Sequence, residues 1–144
     1  MRAARPPDLE TLSGLLEELF ILERDFAPDA ARQISGLKML LKKTDAIVLV
    51  AETGGRVVGL CSVQTLISTA QGGAVGLLED MVVARGTRRR GIGRELLRAA
   101  EKWAAERRLT RLQLLAESDN EAALKFYFKC GWQRTGLICQ RKML

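Results

Sequence analysis

The chain has 144 residues, of which 47% are hydrophobic and 28% charged, and it carries a formal net charge of +6. A chain of this length can bury a real core, so we predict a single domain over residues 1–144. No apolar run approaches the ~20 residues that span a bilayer, and the first residues lack a signal-peptide pattern. We therefore expect a cytoplasmic protein with no membrane partner.

Histidine is absent, and the three cysteines, Cys61, Cys130 and Cys139, form no close pair. This pattern predicts neither a disulfide framework nor a zinc knuckle, and we expect no metal. Acid–base chemistry must then use carboxylates, a tyrosine, a thiol or water. The positive net charge suits an anionic partner, which is either a polymer or a cofactor.

The first half of the chain predicts two helices followed by strands. Leucines at helical spacing indicate a helix over Asp8–Phe20 with Asp8 as its N-cap, and a weaker pattern indicates a second helix over Asp29–Lys43. Runs rich in aliphatic residues then predict three strands, Ala46–Glu52, Val57–Ile67 and Val75–Val83. Gly54 and Gly55 separate the first two, which predicts a hairpin.

The second half alternates between helices and strands. A strongly amphipathic helix follows residue 91, with Ile92, Leu96 and Trp103 on one face, and Thr110–Ala116 is predicted as a strand. Ser118 and Glu121 form a predicted capping box for a helix that ends at Gly131. Two short strands are predicted near the end of the chain, at Trp132–Thr135 and Leu137–Lys142. The pattern indicates a mixed α/β fold, with helices flanking a sheet that is not all-parallel.

A basic loop with two glycines, TRRRGIGRELL, precedes the amphipathic helix. A dinucleotide fingerprint would need a third glycine where Leu96 stands, and a P-loop would need Lys-Ser/Thr in place of Ile92 and Gly93. A strand, a basic loop and a helix N-terminus nevertheless form an anion site, because backbone N–H groups and the helix dipole attract negative charge. The alternative is a tight turn with solvated arginines.

A second stretch, ESDNEAALKFYFKCGW, places Asn120 at a helix start and Tyr127 about two turns later. Two patterns, Arg88-x-x-Gly91-x-Gly93 and Asn120…Phe126-Tyr127-x-Lys129-x-Gly131, closely resemble the signature motifs of the GNAT superfamily of N-acetyltransferases. The strand LLEDMVV resembles the fourth strand of that superfamily. The resemblance covers essentially the whole chain and implies a GNAT-like fold, with a central mixed, mostly antiparallel sheet and about four helices.

The resemblance implies that acetyl-CoA binds across this loop. The fourth strand of the family pairs with the pantetheine arm, and the matching residues are Met81, Val82 and Val83. The residues that match the pyrophosphate cradle are Arg88, Arg89, Arg90, Gly91, Ile92, Gly93 and Arg94. Asn120 matches a position that commonly bonds the cofactor arm, and Lys129 is either near the adenosine phosphates or solvated.

Tyr127 matches the general acid that protonates the departing thiolate in this family; the alternative is a half-buried core tyrosine. For the base we choose Glu79, since it lies two residues before the cofactor-pairing segment, with period-two alternation placing it on the face of Met81 and opposite Asp80. Asp80 is the second choice and Glu117 the third. Some family members carry a glutamate where this chain has Leu115, so water-relayed deprotonation stays open.

The sequence thus predicts an acetyl-CoA-dependent N-acetyltransferase that acts directly on a small primary amine. Acetylation of a protein N-terminus or lysine is a second interpretation, and a non-catalytic acetyl-CoA sensor is a third. A nucleic-acid partner is not expected, because aromatic residues do not interleave with the basic ones. Homodimers are common in the family, and the sequence leaves this state open.

Overall fold

The computed structural model describes residues 1–23 and 25–143. The chain separates into two compact units, 1–114 and 115–144, which are described one at a time. No helix of the described residues combines the length and the apolar character that crossing a membrane requires.

The described residues form five strands and four α-helices, in an order that matches most of the predicted elements. The strands are β1 (Arg2–Ala3), β2 (Ala46–Thr53), β3 (Arg56–Ser68), β4 (Gly73–Val83) and β5 (Leu112–Leu114). The helices are α1 (Leu9–Phe20), α2 (Ala30–Lys42), α3 (Ile92–Glu106) and α4 (Glu121–Lys129). Short 3-10 turns at Pro6–Asp8 and Arg85–Thr87 precede α1 and α3.

The sheet of the first unit has the strand order β1-β2-β3-β4-β5. The first three pairings are antiparallel, and β5 pairs with β4 in parallel. This confirms the predicted mixed, mostly antiparallel sheet with about four helices. The β2–β3 hairpin turns through Gly54 and Gly55, whose φ angles of 57° and 74° are those of the left-handed region. Glycine adopts this conformation at little cost, so the turn was readable from the sequence.

Helices cover both faces of this sheet. One core cluster joins leucines of α1 and α2 to inward side chains of the sheet, namely Leu12, Leu15, Leu16, Leu37, Val48, Val50, Leu60 and Val82. The helix α3 packs on the opposite face, since a Cβ built on Gly59 would lie 3.2 Å from Leu96 Cδ1, and Gly59 alternates with Leu60 along β3. Because Gly59 has no side chain, the first turn of α3 lies close to the sheet beside the end of β4.

The second unit contains α4, and its boundaries partly correct the prediction. The N-cap is Asn120, whose side-chain oxygen accepts the Ala123 N–H at 3.1 Å, so the predicted cap at Ser118 is wrong. Asn caps a helix as well as Ser does, and Asn120 is two residues closer to the apolar helical pattern. The predicted helix end is confirmed, since Gly131 follows the helix with a φ of 90°.

Other differences concern strands. No residue from 132 to 143 belongs to a strand, so the two predicted C-terminal strands are wrong. Local composition can suggest a strand, but a strand exists only where a neighbour pairs with its backbone. The two-residue strand β1 was not predicted because it is too short to show a period. The strand β5 is shorter than the predicted Thr110–Ala116 because its pairing with β4 stops at Leu114.

Candidate active site

The strand β4 carries a bulge immediately before the predicted cofactor segment. Met81 pairs with Cys61 and Leu78 pairs with Val63, so Glu79 and Asp80 together oppose the single residue Ser62. A bulge adds one residue to a strand and bends it, and it resets which side chains face which side of the sheet. The period-two alternation used in the sequence analysis therefore does not hold across residues 79 and 80.

Ser62 and Asp80 hold this bulge together. The Ser62 hydroxyl donates to Asp80 Oδ2 at 2.7 Å, and the Asp80 backbone N–H donates to Ser62 Oγ at 3.1 Å. Ser62 is fully buried. Burial raises the pKa of the Asp80 carboxyl above its ordinary value; the Ser62 hydrogen bond opposes this change, and the nearby charge of Glu79 adds to it. Asp80 is thus a part-buried acid whose carboxylate already has a partner.

Glu79, the predicted base, is exposed, whereas Asp80 is only partly accessible. Leu60 and Val82 belong to the core beneath α1 and α2, and Ser62 follows Leu60 by two residues, so Asp80 lies on that face with Ser62. The glutamate is therefore the more accessible carboxylate of this pair. Its assignment as the base stays a prediction.

Beyond the bulge, β4 continues along β3 after β5 has ended. Met81, Val82 and Val83 pair with β3, whereas the parallel pairing with β5 runs only from Gly76 to Leu78. Met81–Val83 therefore follow the last pairing with β5 along the strand, at the position where the family resemblance places the pantetheine arm. An extended ligand arm can pair with a strand edge as an added strand does.

The loop after β4 is held by Glu18 of α1 and by Arg88. The Glu18 carboxylate accepts the Arg85 N–H at 3.1 Å and lies 3.6 Å from the Arg88 guanidinium. Arg88 Nε also donates to the Val83 carbonyl at 2.7 Å. The side chain of Arg88 thus turns back onto the end of β4 and supports the loop through these contacts.

The N-terminus of α3 has the backbone of an anion site. Arg89 and Gly91 have φ angles of 62° and 83°, in the left-handed region. Gly91 is the N-cap, and no side chain caps the helix. The first turn-closing bond is donated by the Glu95 N–H to the Gly91 carbonyl at 3.1 Å, so the N–H groups of the three preceding helical residues have no partner inside the helix. Such groups, together with the helix dipole, bind phosphate.

Three arginines surround this helix start. Arg89, Arg90 and Arg94 are exposed, and within residues 1–23 and 25–143 none of them forms a salt bridge. By contrast, Arg88 lies beside Glu18, and Arg98 pairs with Glu95 at 2.7 Å. The role of these three guanidinium groups in a pyrophosphate cradle stays a prediction.

The second unit positions Asn120 and Tyr127. Asn120 uses its side-chain oxygen to cap α4, and an amide retains two N–H donors for another partner. The Gly131 N–H bonds the Phe128 carbonyl at 3.0 Å, and the Trp132 N–H bonds the Tyr127 carbonyl at 3.1 Å. These are the two bonds of a Schellman motif, which brings the residue after the glycine back over the last turn of the helix.

The partly buried ring of Tyr127 lies between two aromatic rings of the same unit. Its centroid is 5.3 Å from that of Phe126 and 6.0 Å from that of Trp132. This packing limits the rotation of the tyrosine ring, which suits a fixed proton donor as well as a core residue. Both interpretations of the sequence therefore stay open at Tyr127.

The chain was then compared with known proteins. A family model described as "Acetyltransferase (GNAT) family" matches residues 12–132. The chain belongs to this family. It is accordingly an N-acetyltransferase, which confirms the predicted fold class and enzyme class.

Individual relatives of this GNAT enzyme are distant. An uncharacterized N-acetyltransferase, YhfO of Bacillus subtilis (strain 168), is 26% identical over 96% of this chain and 93% of its own length. A transcriptional regulator from Bacillus halodurans C-125 superposes with a TM-score of 0.87 at 23% identity, covering 99% of this chain and 97% of that chain. The aminoglycoside N-acetyltransferase AAC(6')-Iy, solved in complex with CoA, gives 0.84 at 17% identity, with 99% and 92% covered. At these identities the structures share the fold.

Two residues that support the site of this GNAT enzyme were missed by the sequence analysis. Glu18 lies in a helix read only for its leucines, and Ser62 lies in a strand read only for its hairpin. Their partners are 67 and 18 residues away in the sequence, so no local pattern contains them. Among the described residues, no group of three or more Cys, Asp or Glu side chains is arranged to hold a metal ion.

Proposed function

We propose that this GNAT enzyme transfers the acetyl group of acetyl-CoA directly to a primary amine of a small molecule. The observation that carries the proposal is the uncapped N-terminus of α3, where left-handed backbone at Arg89 and Gly91 meets exposed arginines that form no salt bridge with any described residue. Acetyl-CoA has a pyrophosphate, and such a site binds phosphate groups through backbone N–H and guanidinium donors.

The remaining cofactor contacts are those that the family resemblance implies. The pyrophosphate would lie over Arg89–Arg94, and the pantetheine arm would run along Met81–Val83, which continue past the end of β5. The Asn120 amide is a further donor for the arm. A CoA complex of a protein with the same fold supports this choice of cofactor.

The reaction needs two proton transfers around one acyl transfer. The amine nitrogen attacks the thioester carbonyl carbon, the C–S bond breaks, and the acetyl group moves to nitrogen. In this proposal the exposed Glu79 carboxylate takes the proton that the amine loses. The Tyr127 hydroxyl donates a proton to the departing thiolate, and each such transfer is typically worth ~10²–10⁴-fold in rate.

The choice of a small-molecule acceptor is supported by the relatives' activities. The superposed protein is by its name an aminoglycoside N-acetyltransferase, and a 60-residue segment of this chain is 33% identical to a streptothricin acetyltransferase of Escherichia coli. That segment covers only 42% of this chain, so it supports the class of acceptor and no particular compound.

Two measurements test the proposal. Acetyl-CoA at about 100 times its Kd should stabilise the native protein by roughly 2.7 kcal/mol, whereas ATP and NAD at the same concentration should do far less. A thiol-release assay on a panel of small amines and on a lysine peptide should then show turnover with a small amine. Equal thermal shifts with ATP would reduce the site to a general anion site. Binding without turnover on any amine would favour an acetyl-CoA sensor, and turnover only on the peptide would favour a protein acceptor.

A further inference from the structure

The bulge of β4 is the one irregularity of the central strands that lies inside the candidate active site. It separates Leu78, which pairs with β5 and β3, from Met81, which pairs with β3. A one-residue change of register would turn Met81, Val82 and Val83 to the opposite faces of the sheet. The chain must therefore specify where the extra residue is accommodated.

Only Ser62 stands opposite the extra residue, and its hydroxyl is used twice. It donates to the Asp80 carboxylate at 2.7 Å and accepts the Asp80 N–H at 3.1 Å. A buried serine flanked by Cys61 and Val63, all three fully buried, has no access to bulk water that could replace these bonds. The pair thus selects Asp80 as the residue opposite Ser62 and leaves Glu79 as the exposed residue of the bulge.

We propose that Ser62 and Asp80 form a positioning pair, whose hydrogen bonds fix the bulge and thereby the direction in which Glu79 and the Met81–Val83 backbone meet the reactants. The inference rests on the proposed acetyl transfer for its catalytic consequence, while its structural part concerns β4 alone. Asp80 acts through the strand and not as a proton acceptor, because its carboxylate is already bonded and lies on the core face beneath α1 and α2.

Two variants separate a positioning role from a proton-accepting role. Asp80→Asn keeps an oxygen that can accept the Ser62 hydroxyl, so the bulge should persist and kcat should stay within about threefold of wild type. A general base at this position would instead lose ~10²–10⁴-fold on the same change. Ser62→Ala removes both bonds, and kcat should fall by on the order of 10- to 100-fold. KM for acetyl-CoA should rise as well, because the Met81–Val83 backbone proposed to pair with the pantetheine arm is no longer fixed.

A matched control is Ser13→Ala. Ser13 is also a buried serine, and its hydroxyl donates to the buried Gln33 side chain at 2.8 Å, but this bond joins α1 to α2 and not β3 to β4. The Ser13→Ala variant should lower the melting temperature to a similar extent as Ser62→Ala and leave kcat unchanged. A general loss of stability would lower kcat in both variants.

Hydrogen–deuterium exchange of the segment 79–83, measured without substrate, closes the test. Exchange in Ser62→Ala should be at least about tenfold faster than in wild type, and in Asp80→Asn nearly unchanged. Wild-type exchange in Ser62→Ala would overturn the pairing, and a hundredfold loss of kcat in Asp80→Asn with normal exchange would make Asp80 the base. If the wild-type protein turns over no amine, the proposed function fails, and the exchange result still decides whether the pair fixes the bulge.

Discussion

Gly91 is the N-cap of α3, and replacing it by alanine tests whether its backbone geometry serves the cofactor. Its φ of 83° lies in the left-handed region, and a Cβ built there meets no described atom within 4 Å beyond its chain neighbours and the backbone of its own helix. The substitution therefore causes backbone strain and no steric clash. For a non-glycine residue this strain is about 1 kcal/mol, which lowers the melting temperature of a chain of this size by roughly 3 °C.

The effect on cofactor binding should be larger than the effect on stability. If the strained backbone shifts, at least one N–H group at the start of α3 turns away from the pyrophosphate. A hydrogen bond to a charged group is worth about 1.5–3 kcal/mol, so the Kd for acetyl-CoA should rise about 10- to 150-fold. Isothermal titration with acetyl-CoA measures this directly.

Gly54→Ala is the matched control. Gly54 is exposed, has a φ of 57° and likewise has no atom within 4 Å of a built Cβ, but it lies in the β2–β3 turn. Both variants should lose the same stability, and only Gly91→Ala should lose affinity. Unchanged affinity in Gly91→Ala would mean that the glycine merely forms a turn. An equal loss of acetyl-CoA affinity in both variants would mean that the lower affinity results from the lost stability alone.

Further predictions concern neighbouring residues. Arg89→Gly should raise the melting temperature, because glycine relieves the strain of the left-handed φ of 62°, and it should weaken acetyl-CoA binding, because a cation is lost. A rise in both the melting temperature and the affinity for acetyl-CoA would show that the strained backbone does not serve the ligand. Tyr127→Phe keeps the packing against Phe126 and Trp132, so kcat should fall by ~10²–10⁴-fold at nearly constant acetyl-CoA affinity; wild-type turnover would make the tyrosine a core residue. Glu79→Gln should slow turnover most at neutral pH and recover partly at high pH, where more of the amine is already neutral, whereas a loss of stability without this pH profile would indicate a structural carboxylate. Burial, with a smaller effect of Asp80, raises the pKa of the Cys61 thiol to about 12, so iodoacetamide at pH 8 should modify the exposed Cys139 and reach Cys61 only after unfolding, as followed by mass spectrometry.

Local patterns in the sequence predicted the elements that local chemistry determines. The β2–β3 turn follows from two adjacent glycines, and the end of α4 follows from Gly131, whose left-handed φ closes the Schellman bonds. The long helix α3 follows from its apolar face, of which Leu96 and Trp103 are buried. In each case the signal lies within a few residues of the feature that it predicts.

Features set by distant partners were not predictable in the same way. The strand β1 exists because Arg2 and Ala3 pair with Val50 and Leu49, nearly fifty residues away. Two short strands were predicted at the C-terminal end, and yet the described backbone there joins no ladder. The pattern of apolar residues indicates which side chains prefer burial, whereas strand pairing depends on a neighbouring strand that a local pattern does not identify.

The bulge shows how the same limit reaches the chemistry. Period-two counting correctly separates Met81 from Asp80, but it treats Glu79 as an ordinary strand residue and gives no reason why one of two adjacent carboxylates is exposed and the other bonded. That difference comes from Ser62 on the neighbouring strand, which stands opposite both carboxylate residues and whose hydroxyl bonds the carboxylate and the N–H of Asp80. The motif residues can therefore be identified from the sequence of β4 and its loop. The different environments of Glu79 and Asp80 depend instead on Ser62 in β3, which belongs to no motif. The loop after β4 likewise depends on a distant residue: Glu18 of α1 contacts Arg88 and accepts the backbone N–H of Arg85, while Arg89 and Arg90 face solvent.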